Sequence, residues 1–163
     1  MFRCLLLLVV LLVWGATGCE YNEDAEPDIV VSFFATVSPD SRETTFGAAM
    51  IGTEQATSED INELIRPAGG KVLIVTSITG YHITPSSKYP FSVVGLIGIT
   101  DEGSTRGWGN GGLSIAGLHT THVTFKPGLA VTLTSNESLC IASFIQSNDK
   151  ARVGVHGYLR DRQ

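Results

Sequence analysis

The chain has 163 residues, 43% of them apolar and 17% charged, with 18 glycines and a formal net charge of −5. That length allows one domain and hardly two, and the apolar share is enough for a core, which excludes general disorder. Eleven Lys and Arg against sixteen Asp and Glu exclude a polybasic nucleic-acid binder, so no nucleic-acid partner is expected.

Met1-Phe2-Arg3 is a short, singly basic start, and Cys4 to Ala16 follow without a charge. The run matches the apolar region of a signal peptide and is too short to cross a bilayer. The stretch Ala16-Thr17-Gly18-Cys19 resembles the lipobox of bacterial lipoproteins, although Ala16 stands where that family usually has Leu. The resemblance implies a signal peptide over 1–18, a lipid on the Cys19 thiol, and a protein held at the cell envelope outside the cytoplasm. The alternative is an ordinary secretory signal cut after small residues, giving a secreted protein. Glu20 to Asp28 carries five acids, no base and Pro27. It reads as a flexible tether that an anionic lipid surface repels, so the three segments are 1–18, 19–28 and a domain over 29–163.

From Ile29 onward the chain reads as strands. Val, Ile and Thr make up about a quarter of it, and these β-branched side chains suit pleated, half-buried surfaces. Ile29, Val31, Phe33, Ala35 and Val37 alternate with other residues, and Ser38 to Ser41 break the run. Thr44 to Gly52 is a second candidate strand. Ser58-Glu59-Asp60 can cap a helical turn that puts Ile61, Leu64 and Ile65 on one side, with a strand through Leu64 as the alternative. Lys71 to Thr84 has the apolar character of a central strand in its first half. Phe91, Val93, Ile97 and Ile99 form the next candidate inward face. Asp101 to Gly112, with five glycines around Trp108, reads as a loop. Leu113 to Phe125 is expected to be extended, and Lys126-Pro127-Gly128-Leu129 fits a type II turn with positive φ at Gly128. Strands follow over Leu129 to Thr134, Leu139 to Gln146 and Val153 to Leu159. About eight strands and no long helix predict an all-β fold, an antiparallel sandwich of jelly-roll type.

Val153 to Leu159, ending Gly157-Tyr158-Leu159, resembles the closing strand of C1q- and TNF-like jelly rolls. Pro67-Ala68-Gly69-Gly70-Lys71 and Phe125-Lys126-Pro127-Gly128 add a resemblance to uncharacterised secreted bacterial β-proteins. These likenesses imply architecture and self-assembly, as a trimer through a face holding the last strand, and they carry over no catalytic residue.

Chemistry-bearing motifs are sparse. Of three cysteines, Cys4 leaves with the signal and Cys19 takes the lipid, so Cys140 is left alone in an apolar run and reads as a buried thiol. A Cys19–Cys140 bridge is open only if Cys19 is not lipidated. His119 and His122 lie three apart, and residues so spaced on a strand face opposite ways, so they do not make a metal site without a bulge. By parity with Val123 and Phe125, His119 should point inward and His122 outward. Gly107 to Gly112 matches a dinucleotide-binding pattern only formally, because no helix follows. Asp101-Glu102 reads as a solvated turn, and the Asn136-Glu137-Ser138 sequon as chance. No cofactor, metal or catalytic residue is assigned.

Three functions stay open. The leading one is a membrane-tethered β-sandwich with a binding or assembly role. The second is a carbohydrate-binding module, with Arg106, Trp108 and Asn110 as a candidate binding loop and Tyr81, His82 and Tyr89 beside it. The third is an extracytoplasmic hydrolase with an unrecognised site. A protein or glycan ligand fits the first two.

Overall fold

The computed structural model describes residues 28–39, 42–66, 70–83, 85, 90–134, 136–145 and 149–161. The expected signal peptide, the Cys19 lipid site and all of the tether but Asp28 lie outside the described residues. Ten strands and one helix follow in chain order: β1 (Ile29–Val37), β2 (Glu43–Thr44), β3 (Ala48–Ile51), β4 (Glu54–Gln55), α1 (Ser58–Ile65), β5 (Lys71–His82), β6 (Phe91–Thr100), β7 (Thr105–Ala116), β8 (Thr121–Val131), β9 (Glu137–Ile145) and β10 (Ala151–Asp161).

The strands form two antiparallel sheets, with orders β4-β3-β1-β10-β5-β8 and β2-β9-β6-β7. Apart from the β3–β4 and β6–β7 connections and the helical passage from β4 to β5, each link carries the chain from one sheet to the other. That winding is a jelly roll, and the all-β sandwich expected from the strand spacing is the observed fold. The period-2 pattern explains which side chains meet between the sheets. Val31, Phe33, Ala35 and Val37 from β1 and Val153 and Val155 from β10 are buried, as are Leu96 on β6 and Ile115 on β7. Each such burial larger than Ala35 stabilises by about 1.5–3 kcal/mol against leaving the side chain in water.

Several local expectations change. The stretch 44–52 is two short strands in different sheets, with Phe46 buried between them and 5.2 Å from Phe33, ring centroid to ring centroid. The extended run over 113–125 is broken at Gly117, whose φ is +71°. Pro127-Gly128 does not turn between strands. It lies within β8, where residues 125–128 swell outward between the pairs Ser77–Thr124 and Val75–Leu129. Gly128 has no positive φ. The expected loop 101–112 is a tight turn followed by β7, which swells in the same way between the pairs Ile97–Gly107 and Gly95–Gly112. Both swellings are on edge strands, where bulges are favoured because one side of the ladder is free. They meet across the seam: a Cβ on Gly111 would sit 3.1 Å from Leu129.

The helix wins over the strand alternative at Leu64. Thr57 is its N-cap, and Ile61, Leu64 and Ile65 are its buried face. Asp60 returns the capping contact by accepting from the Thr57 amide at 2.7 Å, which satisfies two otherwise orphaned donors at the helix start.

Candidate functional site

Arg106 and Trp108 lie on β7, and both are already engaged by the protein itself. Arg106 donates from Nε to Glu137 Oε1 at 3.1 Å and from Nη2 to Glu137 Oε2 at 2.7 Å. The same Nη2 donates to the Thr132 carbonyl at 2.6 Å. Glu137 is a buried carboxylate that also accepts from the Thr134 amide. That amide, and then the Arg106 guanidinium, hold its carboxyl below the usual carboxylate range, against the burial that raises it. Arg106 also lies 5.2 Å over the Trp108 ring, a cation–π contact that covers one face of the indole. The ring packs against the core, close to Gly98 and Leu133. Arg106 and Asn110 are exposed and Trp108 is half-buried, so the arginine, although solvent reaches it, is already bonded to Glu137.

The neighbours proposed for this site are elsewhere. His82 is buried at the opposite end of β5, with Nδ1 3.0 Å from the Gly117 carbonyl and Nε2 2.9 Å from Ser92 Oγ. A carbonyl only accepts, so Nδ1 carries the proton and Nε2 accepts from the Ser92 hydroxyl. The imidazole thus pins the Gly117 turn to the start of β6 at that end of the sandwich. Tyr81 faces the outside of the larger sheet, and Tyr89 lies outside the described residues. The candidate sugar-binding group is therefore divided between two ends and two faces.

His122 points outward as expected and contacts Thr124 Oγ1 at 3.0 Å. His119 does not point inward: it is exposed in the turn between β7 and β8, because β8 begins only at Thr121. Among the described residues no group of three His, Cys, Asp or Glu side chains is arranged to hold a metal ion. Asp101 is exposed and ion-paired to Arg66 at 3.0 Å. Cys140 is buried, and burial pushes its thiol above its ordinary range, which makes it a poor nucleophile.

Two outward faces were not singled out by motif reading. On the larger sheet, His156 bridges Ser32 Oγ at 3.0 Å and Thr79 Oγ1 at 3.3 Å, with the Phe34 ring edge-on to it. Burial, and then His122, lower its pKa. Ser32 on β1, His156 on β10 and Ser77 on β5 sit in one register row, so the cluster follows from strand pairing and not from sequence proximity. On the smaller sheet, Phe144 is 62% exposed and paired with Val93. The period-2 pattern of β9 signals that outward position; Leu139 and Ile141 are buried and Phe144 falls on the opposite parity. No protein-family model matches the chain, and no curated protein matches it.

Proposed function

We propose that the chain is a lipid-anchored, extracytoplasmic β-sandwich protein with a binding or assembly role, its partners reached through the sheet faces. The observation that carries this reading is apolar surface left uncovered on both sheets: Val30 is 58% exposed on the larger and Phe144 62% exposed on the smaller. On the smaller sheet the exposure is contiguous, since Val93, 38% exposed, is the ladder partner of Phe144, and contiguous exposed apolar surface marks contact sites. Support for the anchor comes from the lipobox-like Ala16 to Cys19. Asp28 is clamped to Arg160 by two bonds of 2.9 and 2.7 Å, which ties the start of the domain to β10.

The trimer implied by the C1q- and TNF-like closing strand belongs to the larger sheet. There β10 is central, between β1 and β5, and presents His156 and Tyr158 outward. The jelly-roll winding supports that reading. The carbohydrate reading draws less from the geometry, since Arg106 and Trp108 are spent on Glu137 and the core.

The test is mass and hydrodynamics. Protein from the membrane fraction should begin at Cys19 and carry acyl mass, and Cys19→Ala should release it. Sedimentation of the detergent-extracted chain should show a self-associated species. A mature chain starting elsewhere without acyl mass removes the anchor, and a monomer at high micromolar concentration removes the assembly role.

A further inference from the structure

Some glycines of the sandwich are required by packing or by a positive φ, and others, Gly47 and three on the smaller sheet among them, are not. At Gly80, Gly128, Gly154 and Gly157 an added Cβ would strike a neighbouring strand or side chain, with contacts of 2.5 Å to Ile115 at Gly80 and to Ile74 at Gly128. Packing requires glycine there. At Gly109 nothing lies within 4 Å of an added Cβ; at Gly107 the nearest atom is Ile97 Cγ2 at 3.9 Å, and at Gly95 the Gly111 carbonyl at 3.8 Å. None of these three has positive φ. Neither backbone conformation nor internal packing asks for glycine at these positions, and glycine weakens a strand by its entropy and missing side chain. What the three glycines do have in common is place. They line one depression of about 430 Å³ on the outward face of the smaller sheet, walled by Val93, Ile97 and Phe144.

Phe144 is the other half of the observation. It stands at the rim of that trough, and the Val93–Phe144 pair lies two residues along the ladder from Gly95–Ala142. An apolar knob and an apolar hollow therefore sit side by side on one face. A two-fold interface needs a surface complementary to itself, in which a residue contacts a second site and the symmetry mate returns the contact. We propose that the smaller sheet is a homodimer face, in which Phe144 of each copy inserts into the glycine trough of the other. The occupant is a second copy of this chain, because the trough offers almost no polar group to a sugar and the fitting aromatic is present beside it. The contact is separate from the larger-sheet trimer and rests on the assembly reading above.

The experiment uses the full-length chain extracted from membranes, with a photoreactive benzoyl-phenylalanine at position 144 and a mixture of light and heavy isotope-labelled copies. Mixed-isotope cross-links from position 144 to residues 93–112 are expected. Gly109→Leu and Gly107→Leu, which fill the trough, should each cut the cross-link by about tenfold, equivalent to about 1.4 kcal/mol of contact energy, with melting temperature unchanged. Cross-links confined to one copy, cross-links to a glycan or another protein, or a yield unaffected by both leucine variants would overturn the proposal. Sedimentation of the same sample separates the two failures: an oligomer without the 144-to-trough cross-link removes this interface alone, and a monomer removes the assembly reading with it.

Discussion

Arg106 near the start of β7 and Glu137 at the head of β9 are joined by a forked ion pair across the sandwich end, with the carboxylate side chain only 8% exposed and the guanidinium 47%. Removing Arg106 strips the buried carboxylate of its cation and leaves it to hydrogen bonds from Thr134. Arg106→Ala should cost about 2 kcal/mol, at the lower end of what breaking charged buried contacts costs, because the arginine is half in water. Chemical denaturation at neutral pH measures it. The pH dependence follows from the lowered Glu137 pKa. The folded state binds its proton less readily than the unfolded chain, so the contribution is fully present above about pH 4.3 and is lost as pH falls through the lower folded value. Glu137→Gln should flatten that part of the acid stability curve.

Trp108→Ala is expected to destabilise the domain by about 2–3 kcal/mol, less than a fully buried tryptophan because one part of the ring reaches solvent. The ring closes the seam between β7 and β8 beside Gly98 and Leu133. A melting temperature unchanged by the substitution would return Trp108 to the candidate ligand groups.

The sandwich was legible in the sequence because its evidence is local: alternation in β1 and β10, a capped turn before Ile61, and breaks at Ser38 to Ser41. The candidate site was not. Gly107 to Gly112 has the composition of a loop, and pairing with Ile97 and Gly95 at its two ends keeps it in a strand. Arg106 and Glu137 are 31 residues apart, and Ser32 and His156 are 124 apart. No periodicity links such positions; strand order does. The glycine trough shows the same limit, since the sequence gives identical letters to glycines that packing requires and glycines that it does not.

Thr57→Ala should lower stability by about 1 kcal/mol. The hydroxyl accepts from the Asp60 amide at 3.2 Å and donates to Asp60 Oδ2 at 2.7 Å, so both halves of the capping box weaken. Thr57→Ser keeps the oxygen and should restore most of the loss, which a urea titration of the three proteins resolves.

His156 should titrate below the ordinary histidine range, with burial the larger cause and His122 the smaller. Because the folded pKa is depressed, its neutral form contributes stability above about pH 6.5 that is lost as pH falls through the folded value. His122→Ala should move the His156 midpoint part of the way up, leaving the effect of burial in place. NMR titration of the imidazole signals reads both midpoints, and a His156 midpoint indifferent to His122→Ala would show that the two rings do not interact.

Gly157→Ala and Gly109→Ala should behave oppositely. Gly157 lies on β10 where the pairing with β5 shifts between His156 and Gly157, and an added Cβ would collide with the Ile74 carbonyl oxygen. That obstacle is backbone held in a central ladder, so it does not swing aside as a side-chain tip would. The cost should be about 3 kcal/mol or more, at the upper end of overpacking penalties. Gly109 has open space and no positive φ. Alanine there removes unfolded-state freedom and should leave stability equal or raise it by up to about 1 kcal/mol. Paired thermal melts of the two variants decide the matter. A Gly109→Ala protein that unfolds as readily as Gly157→Ala would mean that β7 needs that glycine for its own folding, and the hollow beside Phe144 would then be a by-product of the strand.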